Sequence, residues 1–340
     1  MIKAARQQSV LELLLGLALV AGALFFLPQA LPPTLASILK DRLSTFATIF
    51  LGIFIEAAPF LFLGTLASGL VEVYLDRDRI VAFMPKQVLL SALLGSLLGL
   101  FIPVCDCGVI PLARRLFRKG FPVPAGIAFL LSAPILNPIV IFSTAAAFGW
   151  GRVLFLRVGL CVAIAIVTGL VFSVVQTPWE ILQPTAWITA QDAAQELPPG
   201  TGQGLGRVRQ AFLIANDEFF EIGRYLVIGS MIAAGLQTFV PQPLLLSIGN
   251  GPLASVVVMV ALAVILSICS TVDAFVALGF ASTFSVGSIV AFLVFGPMVD
   301  IKTTIMMLRV FRKRTVVYLI AIPLLLSLLA GLIINFYLAG

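Results

Sequence analysis

Long apolar stretches separated by short polar ones recur along the whole chain of 340 residues. After an apolar run over 10–27, the pattern predicts membrane segments at about 44–75, 88–118, 121–149, 152–175, 212–240, 253–283, 284–310 and 315–338. A helix needs about 20 mostly apolar residues to cross a bilayer. The chain is therefore predicted to be an all-α, polytopic integral membrane protein with about eight to ten transmembrane helices.

The composition supports this class, because 61% of the residues are apolar and 11% are charged. A soluble domain has about 45–50% apolar and about 25% charged residues, so a soluble enzyme is nearly excluded. The chain contains no His, which excludes His-ligated metal sites and His-based acid–base catalysis. We expect neither a cofactor nor enzymatic activity.

The basic residues, which give a net charge of +6, lie in short loops between apolar spans, as membrane topology requires. A nucleic-acid partner is therefore not expected. The expected surroundings are the lipid bilayer of the cell's inner (plasma) membrane, which the chain crosses several times. A homo-oligomer is compatible with the pattern.

Four regions follow from the distribution of polar residues. Residues 1–43 hold an extra N-terminal transmembrane helix and loop, and 176–211 form a polar linker rich in Pro and Gly. The regions 44–175 and 212–340 are two membrane repeats. A signal peptide is the alternative for the N-terminus, but the apolar run is long and 28–33 is a poor cleavage site, which favours an uncleaved helix.

The two repeats are predicted from three blocks that recur in the same order at offsets of 163 to 165 residues. The blocks around Glu56, Cys105 and Asn137 correspond to those around Glu221, Cys269 and Asp300. The repeats are parallel if each has four crossings and inverted if 121–149 and 284–310 are re-entrant hairpins. Basic clusters follow different breaks in the two repeats, which favours inversion.

Two of the spans contain interruptions. The segment 88–118 holds Pro103, the Cys-Asp-Cys-Gly run at 105–108 and Pro111, and 121–149 holds Ser-Ala-Pro-Ile-Leu-Asn-Pro at 132–138. Unwound backbone at membrane depth is tolerated where it lines a cavity or is buried in protein. Transporters place their sites where such broken helices meet, so we expect these breaks and their counterparts at 269–273 and 296–300 to converge.

Cys105 and Cys107 are the first candidates for substrate binding or metal ligation. Two thiols at this spacing reach one soft ion, and thiolates select Cu(I), Zn and similar species, while a trivalent arsenical also bonds two or three thiols. The helix expected to begin at Gly108 would stabilise a nearby anion. Cys269 occupies the matching break and is predicted to supply a third thiol. Cys161 is interpreted as an ordinary buried residue.

Four acidic residues are candidates for proton coupling, because a carboxylate inside a span costs about 2.5–3.5 kcal/mol and is functional by default. They are Asp106, Asp273, Glu56 and Glu221. A structural ion pair is the alternative for Asp273, with Arg224 as the partner. A position near a helix end is the alternative for both glutamates.

Asn137 is a good N-cap residue, and Pro138 suits the first position of a helix. Asn137 is therefore predicted to begin a half-helix and to line the substrate cavity. Asp300 is its counterpart in the second repeat, with Lys302 two residues later.

Five blocks resemble the ArsP/YraQ-type permease family over about residues 44–338. They are Pro-Val-Cys-Asp-Cys-Gly-Val-Ile-Pro-Leu-Ala (103–113), Arg-Lys-Gly-Phe-Pro (118–122) and the segments 128–138, 269–277 and 295–302. The resemblance implies export of trivalent organoarsenicals or thiophilic metals, with Cys105 and Cys107 as ligands. Asp106 stands where the family commonly has Ser, and Thr271 stands where it usually has an acid.

The resulting hypothesis is a secondary transporter that exports a thiophilic metalloid or metal species. Coupling to the proton gradient is expected, because the chain has no Walker motif. The alternatives are an intramembrane thiol oxidoreductase, a passive channel or assembly subunit, and a permease for an unrelated small solute.

Overall fold

The computed structural model describes residues 33–75, 84–85, 87–102, 104–175, 178–184, 205–239 and 251–337. Within these ranges most residues are helical, and the β-type pairing is limited to an isolated antiparallel bridge between Leu182 and Phe311. The prediction of an all-α protein is confirmed. The predicted helix over 10–27, Pro103 and most of the predicted linker lie outside the described residues.

The helices of the described residues are numbered in chain order. Their bounds are α1 Pro33–Tyr74, α2 Val88–Phe101, α3 Val109–Arg118, α4 Val123–Leu136, α5 Pro138–Phe148, α6 Arg152–Val175, α7 Pro178–Ile181, α8 Leu205–Phe239, α9 Pro252–Leu266, α10 Asp273–Gly279, α11 Val286–Met298, α12 Ile301–Val310 and α13 Lys313–Tyr337.

In the described part of the chain, five segments are long and apolar enough to cross a membrane. They are Lys40–Tyr74, Arg152–Val174, Gly206–Phe239, Val286–Val310 and Lys313–Tyr337. The bent pair α4–α5 makes a sixth when it is taken as one span, and α2 and α9 are shorter apolar helices. The chain is thus a polytopic, multi-pass membrane protein, as predicted.

The bend between α4 and α5 is 43° and lies at Asn137. Pro138 disfavours a helical backbone at the residue before it, and Asn137 accordingly has φ −55° and ψ 127°. The Asn137 side-chain oxygen then accepts the backbone N–H of Ile139 at 3.0 Å. Asn137 therefore begins α5 as an N-cap, as predicted from its sequence.

The order of elements in the first half of the chain recurs in the second half. Helices α1 to α6 have 42, 14, 10, 14, 11 and 24 residues, whereas α8 to α13 have 35, 15, 7, 13, 10 and 25 residues. This is the order that two structural repeats require. Their boundaries and relative orientation remain predictions.

Small residues let α2 and α4 approach closely. A Cβ atom on Gly95 would lie 2.2 Å from the carbonyl oxygen of Ala125, and one on Gly99 would lie 2.5 Å from the Cα of Ala133. Glycines four residues apart on one helix face are typical of close contacts between membrane helices. The Ser132 hydroxyl also donates to a carbonyl of α2, at 2.9 Å. This packing gives the thiol-bearing segment after α2 a rigid support.

Residues 52–340 form one compact unit, and residues 1–51 form another. The described part of the smaller unit is the first half of α1, where the rings of Phe46 and Phe50 stack with centroids 6.3 Å apart. Every predicted site residue belongs to the larger unit.

Candidate functional site

The Cys-Asp-Cys-Gly segment connects the end of α2 to the start of α3, and it is not helical. Cys105, Asp106 and Cys107 are all buried. The backbone N–H of Gly108 donates to the Cys105 sulfur at 3.3 Å, so the start of α3 directs a donor at this thiol. A Cβ atom on Gly64 of α1 would lie 2.3 Å from the Cα of Gly108. The two backbones are therefore in direct contact, which fixes the segment against α1.

A second break separates α9 from α10, and it brings the thiol of Cys269 to Asp106. Cys269 Sγ lies 3.7 Å from Oδ1 of Asp106, to which it donates. Two residues later the Thr271 hydroxyl lies 3.5 Å from Oε1 of Glu56 on α1. The structure thus places Cys269 beside the carboxylate between the two paired thiols.

A third break, between α11 and α12, contributes Asp300 and Lys302. Asp300 caps α12 through a reciprocal capping box with Thr303, in which its carboxylate accepts the Thr303 N–H at 2.7 Å. Its other carboxylate oxygen lies 2.9 Å from the Lys302 ammonium. Asp300 therefore both caps α12 and places its buried carboxylate beside the Lys302 ammonium.

The Lys302 ammonium joins all three breaks. It lies 3.0 Å from Oδ2 of Asp106, 2.9 Å from Oδ2 of Asp300, and 2.9 Å from the Ser267 carbonyl oxygen that it donates to. The Lys302 side chain is 2% exposed. A buried charge is tolerated when it is paired, and here two carboxylates surround one ammonium.

A small cavity of about 10 Å³ lies at the centre of this group, room for about one water molecule. Its lining comprises Ile53, Glu56, Ala57, Cys105, Asp106, Cys107, Cys269 and Lys302. Of the four predicted coupling residues, Glu56 and Asp106 thus line the cavity with the thiols. Across the described residues, no group of three or more Cys, Asp or Glu side chains is arranged to hold a metal ion.

An apolar groove of about 620 Å³ lies between α9, α11, α12 and α13. Its lining is almost entirely aliphatic, with Asp300 and Thr304 as its polar members. Asp300 therefore borders the groove through one part of its surface and contacts Lys302 through another.

Asn137 and Asp273 occupy other positions. The Asn137 side chain forms the cap bond, and among the described residues no side-chain hydrogen bond joins it to the three breaks. Asp273 forms a two-pronged ion pair with Arg157 of α6, at 3.0 and 2.6 Å. The guanidinium also donates to Thr144 of α5 at 2.7 Å. Asp273 is thus in an ion pair, as one reading of the sequence allowed, but its partner is Arg157 and not Arg224.

Glu221 belongs to a set of ion pairs that joins α1, α3, α8 and α12, here called the ion-pair cluster. Its carboxylate lies 3.1 Å from Arg114 and 3.6 Å from Arg309. Arg115 contacts Glu72 at 3.4 Å and Glu218 at 3.5 Å. Glu221 therefore pairs with the buried Arg114 and the partly exposed Arg309, and it does not line the thiol cavity.

The sequence reading missed the roles of Lys302 and Arg157. Each is a basic residue inside an apolar segment, which is a signal for a buried partner or a functional group. Lys302 pairs with Asp106 and Arg157 pairs with Asp273, both distant in sequence, so the sequence pattern does not identify these contacts.

The family model described as ArsP_1, predicted permease, matches residues 42–336. The UPF0718 protein YcgR of Bacillus subtilis is 44% identical over 290 residues, which cover 85% of this chain and 96% of that protein. A Streptococcus mutans protein named "Putative two-component membrane permease complex subunit" is 38% identical over 289 residues, which cover 84% of this chain and 94% of that protein.

The UPF0718 protein YraQ of Escherichia coli is 28% identical over 89 residues, about a quarter of each chain. No solved structure is significantly similar to the chain. The family match spans most of the sequence and includes all three breaks. The chain therefore belongs to the ArsP_1 family of predicted permeases.

Proposed function

We propose that this permease is a secondary transporter that exports a small thiophilic species through the site at the three breaks. The observation that supports this most is their convergence on Lys302, with Cys105 and Cys107 beside it. The binding sites of membrane transporters are usually lined by non-helical backbone between broken helices. The small cavity corresponds to a closed state that would have to open to admit substrate.

The proposed substrate is a neutral trivalent organoarsenical. A species RAs(OH)₂ condenses with two thiols to give RAs(SR′)₂ and two water molecules. This condensation releases no proton and does not change the charge of the site. A divalent metal ion would instead require two thiolates in a site that already holds two carboxylates and an ammonium. Because charge is costly to bury, this favours the neutral exchange.

Coupling to protons is proposed to involve Glu56 first, because it lines the cavity and contacts Thr271. Asp106, Asp273 and Glu221 each hold an ion pair that a coupling step would have to break. Release of the substrate from the thiols would be accompanied by entry of a proton from the side of the membrane opposite to the one at which the substrate entered. Export driven by the proton gradient follows from this scheme.

A second membrane subunit is also proposed. The Streptococcus mutans relative is named as a putative subunit of a two-component membrane permease complex. The high identity across nearly the full length supports the same arrangement for this chain.

Uptake into inside-out vesicles tests the proposal, because export appears there as accumulation. Vesicles with the wild type are compared with vesicles carrying Cys105→Ser/Cys107→Ser for methylarsenite, arsenite, Cu(I) and Zn(II), with and without a protonophore. Cys161→Ser is the matched control, since this buried thiol on α6 contacts the Ser132 carbonyl and lies outside the cavity.

The expected result is proton-dependent accumulation of methylarsenite that persists in Cys161→Ser and disappears in the double variant. Equal accumulation in the double variant would remove the thiol site from the mechanism. Accumulation of no species, with disulfide cycling in the purified protein, would instead support the oxidoreductase alternative.

A further inference from the structure

The Lys302 ammonium lies among oxygen atoms from all three breaks. Three oxygen atoms surround it at 2.9 to 3.0 Å, namely those of Asp106, Asp300 and the Ser267 carbonyl. Oxygen atoms at carboxylates and carbonyls are ordinary ligands of metal cations. The same ammonium lines the cavity with Cys105 and Cys107.

Two physical effects follow from this position. A metal ion bound by the thiols would lie next to the Lys302 ammonium, which repels it where water is excluded, and the two carboxylates offset part of that repulsion. The Asp106 carboxylate is also already engaged with Lys302, so it is not available as a third ligand. Both effects act against cations and leave the binding of a neutral species unaffected.

We propose that Lys302 determines the charge class of the substrate by acting as a tethered cation that excludes metal ions from the thiol site. This inference rests on the proposed thiol site and adds the residue that sets its selectivity. Replacing Lys302 by a neutral side chain would free Asp106 to join Cys105 and Cys107 as a ligand of a soft divalent ion once these side chains rearrange around it.

The binding step for such an ion is balanced without any oxidant or reductant. Cd²⁺ would displace one proton from each thiol, giving a cadmium dithiolate and two protons released to solvent. With Lys302 absent, Asp106 would supply a carboxylate oxygen as a further ligand. Arsenical binding, in contrast, releases two water molecules and leaves Asp106 and its partner unchanged.

The test uses the full chain, purified in lipid nanodiscs, with Cd(II) as the probe. Binding is followed by the ultraviolet absorption of the cadmium–thiolate bond in the wild type, Lys302→Met and Lys302→Arg. Arg309→Gln is the control for loss of a cation outside the site, because it removes a charge from the ion-pair cluster. Methylarsenite binding is measured in parallel by protection of the thiols.

Lys302→Met is expected to bind Cd(II) at least tenfold more tightly than the wild type, while Lys302→Arg and Arg309→Gln match the wild type. The gain should vanish when Cys105→Ser/Cys107→Ser is added. Unchanged or weaker Cd(II) binding in Lys302→Met would overturn the inference, and so would a gain that does not require the thiols.

A second variant keeps the test valid if Lys302→Met does not fold, since Lys302→Met leaves two buried carboxylates without their ammonium. Lys302→Met/Asp300→Asn removes one positive and one negative charge, so the summed charge of the group stays as in the wild type. It should show the same gain. The wild type gives an independent check, because Cd(II) binding as tight as methylarsenite binding would itself contradict the exclusion of cations.

These outcomes separate the inference from the transport proposal. If the wild type transports no thiophilic species but Lys302→Met gains Cd(II) binding, the transport proposal fails and the role of Lys302 remains. If methylarsenite is transported and Lys302→Met gains nothing, the transporter remains and the tethered-cation role fails.

Discussion

The ammonium of Lys302 lies 3.0 Å from Oδ2 of Asp106, although the two residues come from different halves of the chain. Their contact places the charged centre of one broken span against the thiol segment of another. The stability of the closed site therefore depends on an ion pair that neither half contains by itself.

Asp106→Asn tests that dependence. Removing one partner of a buried ion pair costs about 3–5 kcal/mol, and Asp300 would retain part of the attraction, so we expect about 3 kcal/mol. Thermal unfolding in one detergent measures the loss. Asp217→Asn is the control, because Asp217 is an exposed carboxylate on α8. Equal melting temperatures for both variants would show that the pair contributes little.

Arg157 and Asp273 form the second buried pair, and their variants distinguish a structural role from proton coupling. Arg157→Met and Asp273→Leu are each expected to destabilise the protein by about 3–5 kcal/mol, because each leaves a buried charge. The double variant should lose less than the sum, since the partners interact directly. A structural role also predicts that any folded double variant keeps proton-dependent transport. Loss of coupling with unchanged folding would make Asp273 a proton carrier.

The contact between Gly64 and Gly108 gives a third prediction. Gly64→Ala would place a methyl group 2.3 Å from a backbone atom that cannot rotate away, so α1 or the thiol segment must shift. We expect loss of methylarsenite binding together with lower thermal stability. Gly52→Ala on the same helix is the matched control, because no atom lies within 4 Å of its added Cβ. Similar behaviour of the two variants would contradict the close approach.

Two glutamates in the ion-pair cluster differ in burial, and this difference predicts how much stability is lost when each is replaced. The Glu218 side chain is 4% exposed and contacts Arg115 and Ser68, whereas the Glu221 side chain is 20% exposed. Glu218→Gln is therefore expected to cost about 3 kcal/mol, and Glu221→Gln about 1 kcal/mol. Denaturation of the two variants side by side measures the difference. A larger loss for Glu221→Gln would reverse the ranking that burial predicts.

The breaks could be located from the sequence because their signals are local. Paired cysteines, Gly108 and the Asn137–Pro138 dipeptide interrupt apolar runs, and the helices end or bend at those positions. Asn137 caps its helix as its residue type predicts. Local chemistry of this kind is read from a few neighbouring residues, so no knowledge of the packing was needed.

The pairing of charges could not be predicted in the same way. Lys302 is a sequence neighbour of Asp300, but its contact with Asp106 depends on how the two halves pack. Arg157 and Asp273 are likewise joined across helices that are distant in sequence. Packing determines which carboxylate faces a thiol and which faces an arginine. From the sequence alone, the four acidic residues are therefore equivalent candidates for proton carriers.

The backbone contact between Gly64 and Gly108 also limits where the molecule can hinge. With no side chain between them, the thiol segment and the adjoining part of α1 are in direct backbone contact, and we expect them to move together. In the proposed transport cycle, alternating access would have to separate these two elements from those that carry Lys302 and Cys269, so the protein would open along the site itself.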